Sequence, residues 1–148
     1  MIHLSRQFAE RIIKKRYRAI VTGKLHGEGS VKTPIDGREA LSLFRSLKIV
    51  PSLKNGFLTL LDLFPVTGRT HQLRRHLADI GHPIAGDSAY TSKGSLLRSK
   101  GLFLYAVEIS FIHPDSGELL TLIIDEPVKF RTYLEREERR WEKFREIN

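Results

Sequence analysis

Between Thr67 and Asp87 the chain concentrates the side chains best able to hold an anion or move a proton. They run Thr67-Gly68-Arg69-Thr70-His71-Gln72-Leu73-Arg74-Arg75-His76 and then Gly81-His82-Pro83-Ile84-Ala85-Gly86-Asp87. Leu73, Leu77 and Ile80 recur at i, i+4 and i+7. That spacing defines the buried seam of a helix beginning near Thr70, and Gly81 with Pro83 supplies its stop. Arg69 precedes the helix, while His71 and Gln72 occupy its first turn. There the unpaired backbone N–H groups and the helix dipole favour an anion. Arg74 and Arg75 point away from the seam. The guanidinium fork suits both carboxylates and phosphates, so one arginine can hold a carboxylate while others track a nucleic-acid backbone. A solvated basic face with structural caps has the same spacing, and at this level both readings stand.

Other chemistries fit poorly. His71 and His76 lie five apart, whereas helical metal ligands need three or four, and no acidic residue completes a set with them or His82. No metal is expected. The chain has no Gly-x-Ser-x-Gly elbow and no phosphate-cradling loop of the Walker kind, and Asp87 is expected to cap the turn that follows it. Tyr17, flanked by Lys15, Arg16 and Arg18 at a strand start, can stack on a base while its neighbours hold phosphate. A core tyrosine with its hydroxyl reaching outward is the commoner fate of that residue in a strand.

The elements that would position these groups follow from patterning. Leu4, Phe8 and Ile12 recur at four-residue spacing, which predicts a helix from Met1 to about Lys15. Its start lacks a good N-cap, as if the chain were entered partway through an element. A period of two then begins near Arg16, with Tyr17, Ala19 and Val21 on one face and Arg16, Arg18 and Ile20 on the other. Gly23 ends that strand, and residues 24–38 read as a polar loop. Glu39 to Val50 predicts a strand interrupted near Arg45, and Pro51 to Gly56 a connector. Phe57 to Phe64, apolar on both faces apart from Thr59 and Asp62, belongs in the middle of a sheet. Thr91 to Lys100 reads as a loop, and Pro114-Asp115-Ser116-Gly117 joins a hairpin of Leu102–His113 and Glu118–Ile124. From Pro127 a C-terminal helix carries Phe130, Tyr133, Leu134, Trp141 and Phe144 on one face, with a Glu135–Arg139 pair on another. The fold class is therefore α+β, a mainly antiparallel sheet with flanking helices, in one domain over residues 1–148 with the helix of 127–148 packed on it.

Composition narrows the partners. The 148 residues carry 25 Lys and Arg against 17 Asp and Glu, a net charge of +8, which favours a polyanionic partner through counterion release. The absence of cysteine excludes disulfides and Cys-ligated zinc. No apolar run approaches the ~20 residues of a membrane helix. Arg6, Glu10 and Arg11 interrupt any signal-peptide core, so an intracellular place, cytoplasmic or organellar, is expected rather than secretion.

Taken together, these motifs resemble the RluA-type family of RNA pseudouridine synthases. The matching pieces are Lys15-Arg16-Tyr17-Arg18-Ala19-Ile20-Val21-Thr22-Gly23, Thr67 to Arg74, and Gly81-His82-Pro83-Ile84 with Gly86-Asp87-x-x-Tyr90. Leu102 to Ala106 followed by His113-Pro114 resembles the family's closing strand pair, so the likeness runs from about Leu4 to Phe130. The resemblance implies an isomerase that breaks the uridine glycosidic bond, turns the uracil and rejoins it through carbon, without cofactor or metal. It also implies a base flipped out of its stack. An aspartate is the covalent catalyst in the family, a tyrosine stacks on the base, and an arginine pairs with the aspartate. Carried onto this chain, Tyr17 matches the tyrosine, Arg69 the arginine and Leu104 an apolar residue beneath the base. Lys14, Lys15, Arg18, His71, Gln72, Arg74, Arg75 and Lys93 are then the residues expected to meet RNA, a tRNA or rRNA.

The aspartate has no counterpart. In the family it lies in an Arg-Leu-Asp motif upstream of the tyrosine strand, and Asp36, Asp62, Asp79, Asp87, Asp115 and Asp125 all stand in other contexts. Thr91 also stands where the family usually has glycine. The expectation is a catalytic domain incomplete at its N-terminal side, inactive alone. A non-catalytic RNA-binding module, or a subunit completed by a partner, are the alternatives.

Overall fold

The computed structural model of the chain describes residues 3–9, 12–90 and 101–148. Its elements in order are α1 (Leu4–Ala9), β1 (Lys14–Thr22), β2 (Glu28–Val31), β3 (Ser42–Ser52), β4 (Gly56–Pro65), α2 (Gln72–Asp79), β5 (Leu104–Ile112), β6 (Leu119–Ile123) and α3 (Val128–Ile147). The strands form one six-stranded sheet in the order β2-β3-β4-β1-β5-β6, and every neighbouring pair is antiparallel. The α+β class expected from patterning is the class observed.

The sheet is built around β4 and β1. Leu58, Leu61 and Leu63 of β4 and Ala19, Ile20 and Val21 of β1 are all fully buried. A strand covered on both faces has to be apolar on both. Strand parity assigns the helices to opposite faces. Ser42, Leu63 and Tyr17 share the face on which α2 lies, since Ser42 bonds Gln72 and His76 of that helix. Ile20, Leu60 and Lys48 share the other face, where Glu138 of α3 pairs with Lys48 and Glu137 accepts a bond from Ser52. Phe130, Tyr133 and Leu134 bury the inner side of α3. Burial also pushes the Tyr133 hydroxyl up to about 12, with the charge of Glu137 adding to the shift.

Several boundaries differ from those the pattern predicts. Lys14 and Lys15 belong to β1, and the described part of the first helix stops at Ala9. The supposed loop of residues 24–38 contains β2, a short edge strand whose Glu-Gly-Ser-Val sequence carries no periodic apolar signal. β3 is not interrupted at Arg45 but runs on to Ser52, absorbing one extra residue between Ser46 and Lys48 as a bulge. Because a bulge shifts parity by one, Leu43, Arg45 and Lys48 all reach the α3 face. On α3, Phe144 is 47% exposed, and the ion pair at i,i+4 is Arg131–Glu135 rather than Glu135–Arg139. The expected loop of Thr91 to Lys100 lies outside the described residues.

At the far end of β1, the segment Ile84–Ala85 wedges in as a sheet extension. Ala85 N donates to Ile20 O, Ile20 N to Phe103 O, and Phe103 N to Ala85 O. Gly86 follows at φ +83°, where an added Cβ would sit 2.0 Å from the carbonyl oxygen of Gly101. Only glycine fits there, which accounts for the turn between His82 and Asp87.

Candidate active site

A cavity of about 550 Å³ opens on the α2 face of the sheet, a size suited to a small ligand or a single base. β1 contributes Lys15 and Tyr17, β5 contributes Leu104, and the loop leading into α2 contributes Thr67, Gly68 and Arg69. Tyr17 is opposite Ala106 and Ala19 opposite Leu104 in the β1–β5 ladder, so Tyr17 and Leu104 are diagonal neighbours on one face. The three residues matched by resemblance, Tyr17, Arg69 and Leu104, thus line one pocket.

Arg69 is held at two points. Its backbone N–H donates to Gln72 Oε1 at 3.1 Å and its Nε–H to the carbonyl of Glu39 at 2.8 Å. Both acceptors are neutral, so among the described residues no carboxylate offsets its charge. Gln72, expected to face RNA, is instead 4% exposed and turned inward, its amide nitrogen donating to Leu41 O and Ser42 Oγ. It orders the loop at the cavity wall, with its side-chain polar atoms already bonded within the protein. Its backbone N–H is also engaged, with Arg69 O at 3.1 Å.

The helix itself starts one or two residues later than spacing suggests. His71 is its N-cap residue, in the left-handed conformation at φ 52°, ψ 32°, which costs a non-glycine residue on the order of 1 kcal/mol. That conformation sets its Nδ1 2.7 Å from the Tyr90 hydroxyl. The buried seam also differs. His76 is fully buried, whereas Ile80 is 37% exposed. The seam reads Leu73, His76, Leu77 because hydrogen bonds satisfy both ring nitrogens of His76, to Ser42 Oγ at 2.7 Å and Thr33 O at 2.8 Å.

The remaining basic residues separate by partner. Arg74 lines the pocket but makes a bidentate pair with Asp87, at 3.0 and 2.9 Å, and lies over the Tyr90 ring. Its hydrogen bond to Asp87 holds the guanidinium even more firmly protonated than usual. Asp87 also accepts from the backbone of Ala89 and Tyr90, capping the turn as expected. Arg75 pairs with Asp36, and that contact holds the Asp36 carboxyl below the ordinary carboxylate range. Arg18 does not reach the pocket. It points to the opposite face, bonded to Asp62 at 2.8 Å and Glu126 at 2.9 Å. Lys14 is exposed at the start of β1 and does not line the cavity. Lys93 lies outside the described residues.

On that opposite face Asp62 is almost fully buried, gripped by Arg18, Arg45 and Arg16. Burial alone would raise its pKa, but the hydrogen bonds from Arg18 and Arg45 and the charges of Arg18 and Arg16 outweigh it and hold the carboxyl low. Its strand position, opposite Arg18 and Arg45 and out of phase with Tyr17, removes it from the cavity. His82 Nδ1 donates to Thr22 O and packs over Gly23. Among the described residues no group of three or more His, Asp or Glu side chains could hold a metal ion, and no helix is long and apolar enough to cross a membrane.

Sequence reasoning did not single out Thr67, Ser42 or Glu39 as supports of the site. Thr67 and His76 lie in the same motif as Arg69, and the Gln72-to-His76 spacing of one helical turn was the available signal. Ser42 and Glu39 gave none, because only the folded sheet brings them to α2.

Residues 2–79 match the family described as RNA pseudouridylate synthase. The dual-specificity RNA pseudouridine synthase RluA of Haemophilus influenzae is 38% identical over 134 residues, covering 80% of this chain and 59% of that protein. An uncharacterized RNA pseudouridine synthase of Aquifex aeolicus is 35% identical, over 88% of this chain and 47% of that protein. Among solved structures, human RNA pseudouridylate synthase domain containing 1 superimposes with a TM-score of 0.72 at 25% identity, over 83% of this chain and 58% of that one. The chain therefore spans roughly half to three-fifths of the length of these relatives.

Proposed function

The chain belongs to the RNA pseudouridylate synthase family, in its RluA-type branch, and on that premise we propose that it forms the RNA-facing wall of a uridine-isomerising site without isomerising uridine by itself. The observation that carries this reading is the composition of the pocket. Tyr17, Leu104, Arg69 and Lys15 line it, and among the described residues no carboxylate does. A flipped uracil would stack on the Tyr17 ring above Leu104, as bases stack on aromatic faces elsewhere. Arg69 would pair with the carboxylate that attacks the sugar, holding it ionised. Two buried aspartates are committed elsewhere: Asp62 to three arginines on the other face, and Asp87 to Arg74.

The purified chain, incubated with a uridine-containing RNA transcript, is expected to bind it with an affinity that falls steeply with salt and to form no pseudouridine. Pseudouridine in the product would overturn the inactivity. No binding at low salt would overturn the RNA-facing wall.

A second reading, that a strand-bearing partner completes the site, is favoured by the β6 edge. Leu119, Leu122, Ile123 and Ile124 are 71%, 54%, 68% and 53% exposed, an aliphatic edge with no charged residue between Glu118 and Asp125. Ile124 N–H bonds inward to Val107, so by alternation Thr121 presents its backbone groups outward. Thr121→Pro should then abolish partner capture or self-association, measured by sedimentation, while leaving the β5–β6 ladder intact. Wild type sedimenting as a monomer, with and without the upstream half of a longer relative, would rule this reading out.

A further inference from the structure

The fastenings of Arg69 continue past its immediate neighbours into a buried chain of polar groups. Gln72 Oε1 accepts from the Arg69 backbone N–H at 3.1 Å and from the Thr67 hydroxyl at 2.5 Å. Its amide nitrogen donates to Leu41 O at 2.8 Å and to Ser42 Oγ at 2.9 Å. Ser42 Oγ lies 2.7 Å from His76 Nδ1, and His76 Nε2 lies 2.8 Å from Thr33 O. Ser42, Gln72 and His76 are 1%, 4% and 0% exposed.

The direction of each bond can be assigned. A carbonyl only accepts, so Nε2 of His76 carries a hydrogen, and in the neutral imidazole Nδ1 then accepts from the Ser42 hydroxyl. Ser42 Oγ in turn accepts from Gln72, which fixes the amide so that Oε1 faces Arg69. The donors therefore run in one sense: Arg69 N–H to Gln72, Gln72 to Ser42, Ser42 to His76, His76 to Thr33. Aligned bonds of this kind polarise one another, and in a low-dielectric interior a single missing member leaves its neighbours unsatisfied. The far end is anchored in the segment between β2 and β3 that also supplies Glu39 O to the Arg69 guanidinium.

We propose that Ser42, Gln72 and His76 are positioning residues that fix Arg69 at the mouth of the pocket, so that its remaining guanidinium N–H groups meet an anion without a reorganisation cost. This rests on the reading of Arg69 as the pocket's anion-binding cation. It also explains a polar residue on the buried seam of α2: His76 occupies a position where an aliphatic residue would pack but could not terminate the chain of donors.

The test is a double-mutant cycle read by two measurements. In the ¹⁵N-labelled chain, hydrogen exchange at the Arg69 backbone and Nε positions is expected to speed up at least tenfold in Gln72→Glu, which keeps the shape but loses both amide donors. Ser42→Ala should give a smaller change in the same direction, Ser42→Thr should restore protection, and the Leu61 and Leu63 amides should stay within about twofold of wild type. Binding of a uridine oligoribonucleotide should weaken severalfold in Ser42→Ala, but not when Arg69→Ala is already present. Unchanged Arg69 protection in both variants, or equal affinity losses in both backgrounds, would overturn the proposal. If Gln72→Glu does not fold, Ser42→Ala decides alone. Absence of RNA binding by the wild-type chain would remove the reading of Arg69 as an RNA-site cation, while the exchange measurements would still decide the network.

Discussion

The two faces of β1 carry the same kind of residue to opposite ends. Lys15 and Tyr17 point to the α2 face and line a cavity in which no carboxylate stands among the described residues, whereas Arg16 and Arg18 point to the α3 face and close on Asp62, Glu108 and Glu126. Side-chain exposure is 20% for Arg16 and 18% for Arg18, against 2% for Asp62. On the α3 face the cations are spent on folding, since a buried carboxylate ringed by arginines is worth most when every member is present. On the α2 face Arg69 is tied only to neutral groups, leaving its charge for something else. Net basicity therefore overstates the surface available to a polyanion. Ion-pair partners, residue by residue, decide which cations are free to act.

The largest test of this contrast is Asp62→Ala. Removing the shared anion leaves three arginines facing one another, and the expected cost is about 3–5 kcal/mol in urea denaturation, toward the lower end because Arg45 is half exposed. A loss under ~1 kcal/mol would break the comparison, since that is the worth of an ordinary surface pair. The wild type should show the same dependence through pH. The folded carboxyl of Asp62 lies below its ordinary 3.8, so its contribution is complete above that value and is lost as pH falls through the lower, folded one. Asp62→Asn should lack that acid-side loss.

Next in size is Tyr17→Leu on the other face. It keeps an apolar contact but removes the stacking surface, and affinity for a uridine oligoribonucleotide should fall by about 1–3 kcal/mol, the range for losing one stacked base. Unfolding free energy should change by less than the Asp62→Ala loss. Unaltered binding would mean that Tyr17 is a core residue only. The smallest expected effect sharpens the division within β1 itself. Lys15→Ala should reduce the slope of log affinity against log salt by about 0.7, one single-strand phosphate contact, whereas Arg18→Ala should leave the slope unchanged and lower stability instead. Equal slope changes would erase the distinction between the faces.

Much of this architecture was legible without coordinates. The alternation from Arg16 to Val21 already puts Tyr17 opposite Arg16 and Arg18, the apolar run of β4 already requires a central place, and Pro114 to Gly117 already closes a hairpin. These are local patterns, in which the strand or helix period alone decides the face. Conflicts arose where tertiary partners overrode period. β2 has no apolar repeat and forms because β3 offers it an edge, and His76 displaces Ile80 from the helix seam because Ser42 and Thr33 satisfy its ring.

The amino-acid sequence by itself determined the α+β class, the order of every element but β2, and the overall excess of positive charge. Only the tertiary structure decided which positive charges remain for a ligand. Arg18 is neutralised by Glu126, 108 residues away, and Arg69 is fastened by Glu39 and, through Gln72, by Ser42. Such pairings arise between residues distant in the chain, so no local spacing encodes them. They are fixed when the sheet brings β1, β3 and α2 together and the cost of burying each charge selects its partner.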